Sequence, residues 1–130
     1  CSTIQSLFAP LSFDEFLETT FTKDFLISKG DANRFTSWCS LELLLGALQD
    51  PRLSPECVTL VQEGEPVHPS QFVTEGSQAD PSKLNCGNVE ALLAQKAALL
   101  LTQAHELLEP LATLSSELTQ AFAEPVNINI

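Results

Sequence analysis

Two histidines, four cysteines and seventeen carboxylates are the side chains of this 130-residue chain with the strongest potential for catalysis or metal binding. His68 is followed by Pro69 and His105 by Glu106. Neither belongs to a His-x-Asp, His-x-Glu or His-Glu-x-x-His arrangement, so local spacing assembles no metal triad. Two partly exposed histidines are the expectation. The cysteines stand at 1, 39, 57 and 86, with no two-residue spacing and no histidine within four residues, so neither a zinc knuckle nor a thiol redox pair is indicated. Cys39 lies beside Trp38 and Cys57 heads a strand-like run, as expected of small buried thiols. A secreted disulfide scaffold of this length would be denser in cysteine, which favours a reducing, intracellular and cytoplasmic setting. An N-terminal cysteine can act as a nucleophile with its own amine as base. Cys1 has no oxyanion-stabilising pattern near it and reads as a point of processing or truncation. The five glycines are scattered singly and form neither a phosphate loop nor a dinucleotide fingerprint.

Composition sets the frame around these residues. Leu, Ile, Val and Phe make up 40 positions, enough apolar surface for a small folded domain rather than a disordered chain. The net charge of −11 repels phosphate backbones and anionic lipid, so neither nucleic acid nor a membrane is the expected partner. The longest apolar run, Ala97 to Leu101, falls far short of the roughly 20 residues that cross a bilayer. Glu106, Glu109, Glu117 and Glu124, with no Lys or Arg after Lys96, make the last third anionic. That surface suits a basic protein partner, or is simply a solvated helix face.

Patterning predicts the elements that must hold these groups. Ser12-Phe13-Asp14-Glu15 is a capping box opening a helix whose apolar face is Phe13, Phe16, Leu17 and Phe21, with Leu11 and Phe16 as a hydrophobic staple. Residues 23–28 read as a short strand followed by a Lys29-Gly30-Asp31 turn. Residues 33–38 suit a short helical turn. Ser40 caps a helix over 41–48 that carries Leu41, Leu44, Leu45 and Leu48 on one face. Residues 58–61 form a strand, Glu63-Gly64 a turn and 66–68 an edge segment, while 74–83 is an exposed loop. Asn88 is placed to cap a helix, and residues 97–102 read as a strand buried on both faces. The strongest helix spans 105–122, with Leu107, Leu111, Leu114, Leu118 and Phe122 as an unbroken stripe and Pro110 marking its true start. After Pro125, Val126, Ile128 and Ile130 alternate with asparagines as a terminal strand that looks cut short. The fold class expected is α+β, helices with short strands.

This order of elements resembles the N-terminal portion of the JmjC-type cupin oxygenases, in particular the cupin-4 group that includes ribosomal oxygenases. The likeness is carried by residues 11–16, by 25–31 with the Arg34-Phe35 pair, by 58–67, and by 98–101, Pro110-Leu111 and 125–130. Lys23-Asp24-Phe25 stands where the group usually has a basic-Pro pair, and Leu101-Thr102-Gln103 where it often has Val-Leu-Asn. The resemblance implies that residues 1–130 form the N-terminal part of a double-stranded β-helix domain. Such domains bind Fe(II) through a His-x-Asp and a later His, use 2-oxoglutarate, and commonly hydroxylate proteins. All three iron ligands would lie beyond Ile130, so the resemblance assigns no catalytic, cofactor-binding or metal residue to this chain. It does match Asn129 to an asparagine that lines the active site, beside the alternative of an ordinary solvent-facing strand residue.

The competing expectation is a complete, non-catalytic acidic α/β interaction module that unfolds cooperatively as a monomer. The fragment expectation is instead a leucine stripe without its cover and an unpaired terminal strand, with aggregation or molten behaviour as the result.

Overall fold

The computed structural model describes residues 3–130. Its chemistry starts with well-capped local elements. Helix α1 spans Thr3–Phe8 and α2 Phe13–Thr19. At the start of α2 the Ser12 hydroxyl accepts from the Glu15 amide at 3.2 Å, and the Glu15 carboxylate accepts from the Ser12 amide at 2.8 Å. That is the reciprocal box the sequence predicts. These hydrogen bonds to Ser12, its backbone amide first, hold the Glu15 carboxyl below its ordinary value. Helix α3, Leu41–Leu48, is capped by Ser40, whose hydroxyl accepts from the Leu43 amide at 3.2 Å. Ala47 and Leu48 are buried, Leu44 and Leu45 pack against the core, and Leu41 is left exposed. Ser40→Ala is expected to cost about 1 kcal/mol in chemical denaturation, through loss of one capped helix end.

The central sheet is antiparallel and built from local signals. Strand β1 (Val58–Gln62) turns through Glu63 and Gly64, both at positive φ (53° and 85°), into β2 (Glu65–Pro66). Two successive positive φ values favour this tight hairpin and explain the glycine at 64. On its other side β1 pairs with β5 (Ala98–Leu101), with Val58 opposite Leu101 and Leu60 opposite Leu99. Residues 126–130 then lie antiparallel beside the end of β5. Leu101 and Ile130 exchange both backbone hydrogen bonds (2.6 and 3.0 Å), and the Ala104 amide donates to the Ile128 carbonyl at 2.8 Å. A second small ladder joins β3 (Val73–Thr74) to β4 (Lys83–Leu84) around an exposed loop. Helices α4 (Cys86–Ala94) and α5 (Glu109–Phe122) complete the α+β fold.

Two clusters hold these pieces together. The main core combines Leu48, Val58, Leu60, Phe72, Val89, Leu101 and Leu111 with their neighbours. A separate aromatic cluster joins α1 and α2 to the far end of α5. Phe8 stacks on Phe16 at 4.2 Å, and Phe122 meets Phe13 edge-on at 5.6 Å and Phe21 at 5.3 Å. Leu111, Leu114 and Leu118 are all buried, so the leucine stripe is covered from within the chain, against the fragment expectation of a bare stripe. Leu107 lies ahead of α5, which begins at Glu109 with Pro110 in its first turn, as the proline predicts.

Three further expectations are corrected, and one helix is new. Residues 23–28, expected as a strand, enter no ladder, and Phe25 and Ile27 are 78% and 75% exposed. Strand-favouring side chains supply a shape but no partner, and this segment has none beside it. Asn85 rather than Asn88 caps α4; its side chain accepts from the Asn88 amide at 3.1 Å, while Asn88 donates to the Gln71 carbonyl at 2.9 Å. Strand β5 is not buried on both faces, because only one side of the sheet carries the core: Leu101 is buried, Ala98 and Leu100 are exposed. Helix α1 has no counterpart in the sequence pattern. It is held by tertiary bonds, the Ile4 amide donating to Glu117 at 2.6 Å and Arg34 donating to the carbonyls of Ser6 and Leu7.

Candidate functional site

Alternation along 126–130 places Asn129. Val126, Ile128 and Ile130 are half-buried and the two asparagines are exposed. The side-chain oxygen of Asn129 accepts from the Gln103 amide at 3.1 Å, which satisfies the left-handed Gln103 (φ 55°) just after β5. Asn129 therefore fixes the crossing between β5 and the terminal segment. Two more bonds anchor the same segment: Ser115 donates to the Val126 carbonyl at 2.6 Å, and the Val126 amide donates to Thr119 at 3.1 Å.

The histidines serve structure. His105 Nδ1 accepts from the Ile128 amide at 3.2 Å, leaving Nε2 as the protonated nitrogen of the neutral ring. His68 caps the 3₁₀ turn Pro69–Gln71, its Nδ1 accepting from the Ser70 amide at 3.2 Å. Cys39, Cys57 and Cys86 are free, half-buried thiols, and the Cys86 thiol donates to the Leu48 carbonyl at 3.4 Å. Cys1 lies outside the described residues. Among the described residues no three His, Cys, Asp or Glu side chains gather where they could hold a metal ion. The donors present thus do not fit a ferrous centre, which needs two imidazoles and a carboxylate converging on one point. The anionic last third also divides: Glu106, Glu109 and Glu124 are exposed, whereas Glu117 is half-buried and engaged with α1.

A groove of about 1040 Å³ opens between the 48–56 loop and the β3–β4 hairpin. Leu48, Val58, Phe72 and Leu84 form its apolar floor, and Arg52 and Lys83 stand at its rim. Its size is at the upper end of small-ligand clefts. Sequence reasoning missed it because its walls come from segments some thirty residues apart. The only local hint was the run of prolines at 51, 55, 69 and 81 that line it. Arg52 grips Asp50 through two nitrogens, Nη2 to Oδ2 at 2.8 Å and Nε to Oδ1 at 3.1 Å. These side-chain hydrogen bonds, joined by one from the Arg52 amide, lower the Asp50 carboxyl from 3.8 to about 2. A depressed folded-state value means the pair stabilises the fold fully above 3.8 and loses that contribution as pH falls through about 2. A carbon-detected titration of the Asp50 carboxyl should show a midpoint near 2, returning toward 3.8 in Arg52→Ala.

No helix among the described residues is long and apolar enough to cross a membrane. No family model, curated protein or solved structure matches the chain.

Proposed function

We propose that this chain is the N-terminal part of an Fe(II)- and 2-oxoglutarate-dependent cupin oxygenase acting on a basic protein. In this reading the chain supplies scaffold, and Asn129 supplies part of the cleft wall. The observation that carries it is the order of elements. A capped helix over Phe13–Thr19, a Glu-Gly hairpin on a central strand, the Ala98–Leu101 strand, a Pro-started helix and an alternating terminal segment beside β5 follow one another in the order of the resemblance, whose strand over 25–31 is absent. The iron and 2-oxoglutarate sites fall outside these residues, so the chain alone carries no step of the reaction. Reading the coding region past Ile130 tests the proposal. A His-x-Asp or His-x-Glu in the following strands is expected, and its absence rejects the oxygenase.

One observation favours a second reading, a non-catalytic acidic interaction module: the α5 stripe is buried by the chain's own Phe cluster and core. That reading expects one cooperative unfolding transition for residues 1–130 and no such motif downstream.

A further inference from the structure

Ile128 is gripped twice by one turn. Its carbonyl accepts from the Ala104 amide at 2.8 Å, and its amide donates to Nδ1 of the adjacent His105 at 3.2 Å. Both bonds come from the 3₁₀ turn Ala104–Glu106, but they differ in kind. A backbone amide donates at every pH, whereas an imidazole nitrogen accepts only while it carries no proton. The Ile128 amide has no other acceptor among the described residues, and the Ile128 side chain packs against the main core. His105 itself is half-buried, so its ring still reaches solvent.

The charges around the ring are all carboxylates. Helix α5 packs on the His105 turn and carries Glu109 and Glu117; Glu106 lies in the turn and Glu124 on the link to residues 126–130. Strand β5 and residues 126–130 bring no charged side chain, and no Lys or Arg follows Lys96. Glu117 is engaged with the Ile4 amide, and no carboxylate forms an ion pair with the ring among the described residues. No cation opposes an added proton, and no carboxylate locks it in place.

We propose that His105 is a proton-operated clasp on residues 126–130: the neutral ring holds the Ile128 amide, and protonation of Nδ1 releases it. A protonated Nδ1 sets two donors face to face where there was a bond. The Ile128 amide must then turn to water, which draws Ile128 from the core and loosens Asn129 from the Gln103 amide. The Leu101–Ile130 pair and the Ser115 and Thr119 bonds to Val126 contain no group that titrates near neutrality. They hold both ends of the segment while its middle opens. The clasp is closed above the imidazole range and is lost as pH falls through it. His68 is the internal contrast. Its Nδ1 also accepts from a backbone amide, but Ser70 is two residues away, so its protonation undoes one turn and moves no distant segment. The clasp does not depend on the oxygenase reading.

Amide exchange of the 130-residue chain, read residue by residue by NMR from about pH 8 to about pH 5 and normalised to the intrinsic rate at each pH, tests it. Protection of the Ile128 amide should fall about tenfold, the worth of one lost hydrogen bond, while β1 keeps its protection. The Ile128 amide shift should move with the same midpoint as the His105 ring nitrogens, and above that midpoint Nδ1 should be the unprotonated one. His105→Asn puts a non-titrating acceptor in the place of Nδ1 and should hold Ile128 equally at both ends of the range. His105→Ala should leave Ile128 weakly protected at both ends. His68→Asn should leave the step unchanged. A parent whose Ile128 protection stays flat across the titration of His105 overturns the proposal. So does a step that persists in His105→Asn, or one shared by β1, which would mark a global transition.

Discussion

Phe72→Ala should lower the free energy of unfolding by about 3–5 kcal/mol, the range for removing a large buried aromatic ring. Phe72 is 2% exposed and is among the largest fully buried side chains of the core. It follows the Pro69–Gln71 turn, and its carbonyl accepts from the Asn85 amide at 2.8 Å, so the ring sits where the β3–β4 ladder meets the start of α4. It also floors the groove, where the opened space adjoins solvent and its walls come from loops. Partial collapse of those loops would place the cost toward the lower end of the range. Domains of this size are stable by only about 5–15 kcal/mol, so the variant should lose a large share of its folded population margin. Urea unfolding followed by Trp38 fluorescence measures the loss. Phe25→Ala, at a site 78% exposed, should change stability by no more than about 0.5 kcal/mol and serves as the control.

Arg34→Ala should cost about 2–3 kcal/mol, with the damage concentrated in the N-terminal layer. The half-buried guanidinium donates to the carbonyls of Ser6, Leu7 and Ala9 and to the Ser28 hydroxyl, and lies 5.1 Å from the Phe35 ring. It thereby caps the end of α1 and pins residues 25–31, which have no ladder of their own. A charged hydrogen bond is worth about 1.5–3 kcal/mol, and a group serving several carbonyls is not additive. Removing the fork leaves carbonyls to find water, which is available at a half-buried site and limits the total. Amide exchange should accelerate across 4–9 and 25–31 while β1 and β5 keep their protection. Arg34→Lys should recover little of the loss, because a single ammonium cannot span three carbonyls in fixed geometry.

These two residues mark the limit of what the sequence discloses. The caps at Ser12 and Ser40, the Glu63-Gly64 hairpin, the Pro110 helix start and the alternation of 126–130 all depend on neighbours a few residues away, and each was legible. The role of Arg34 depends on carbonyls 25 or more residues distant, and no local pattern announces it. Helix α1 escaped for the same reason, since six residues cannot sustain a helix without Glu117 and Arg34. Residues 23–28 show the converse error: side chains with strand propensity were present, and the neighbouring strand was not. Asn88 and Asn85 were equally plausible caps by residue type, and the bond from Asn88 to Gln71 decided between them. For the candidate site, the exposure of Asn129 was predictable from period-two alternation, but its hold on Gln103 was not. The groove was invisible because its two walls are distant in sequence.

We propose that residues 1–130 belong to an iron-dependent oxygenase whose metal ligands lie outside them. Fe(II)-dependent release of succinate from 2-oxoglutarate, measured in parallel on the 130-residue chain and on a polypeptide extended through the following strands, tests it most directly. The short chain is expected to show no turnover and no stoichiometric iron, and the extended one both. Turnover by the short chain, or an extended polypeptide that neither binds iron nor releases succinate, would contradict it.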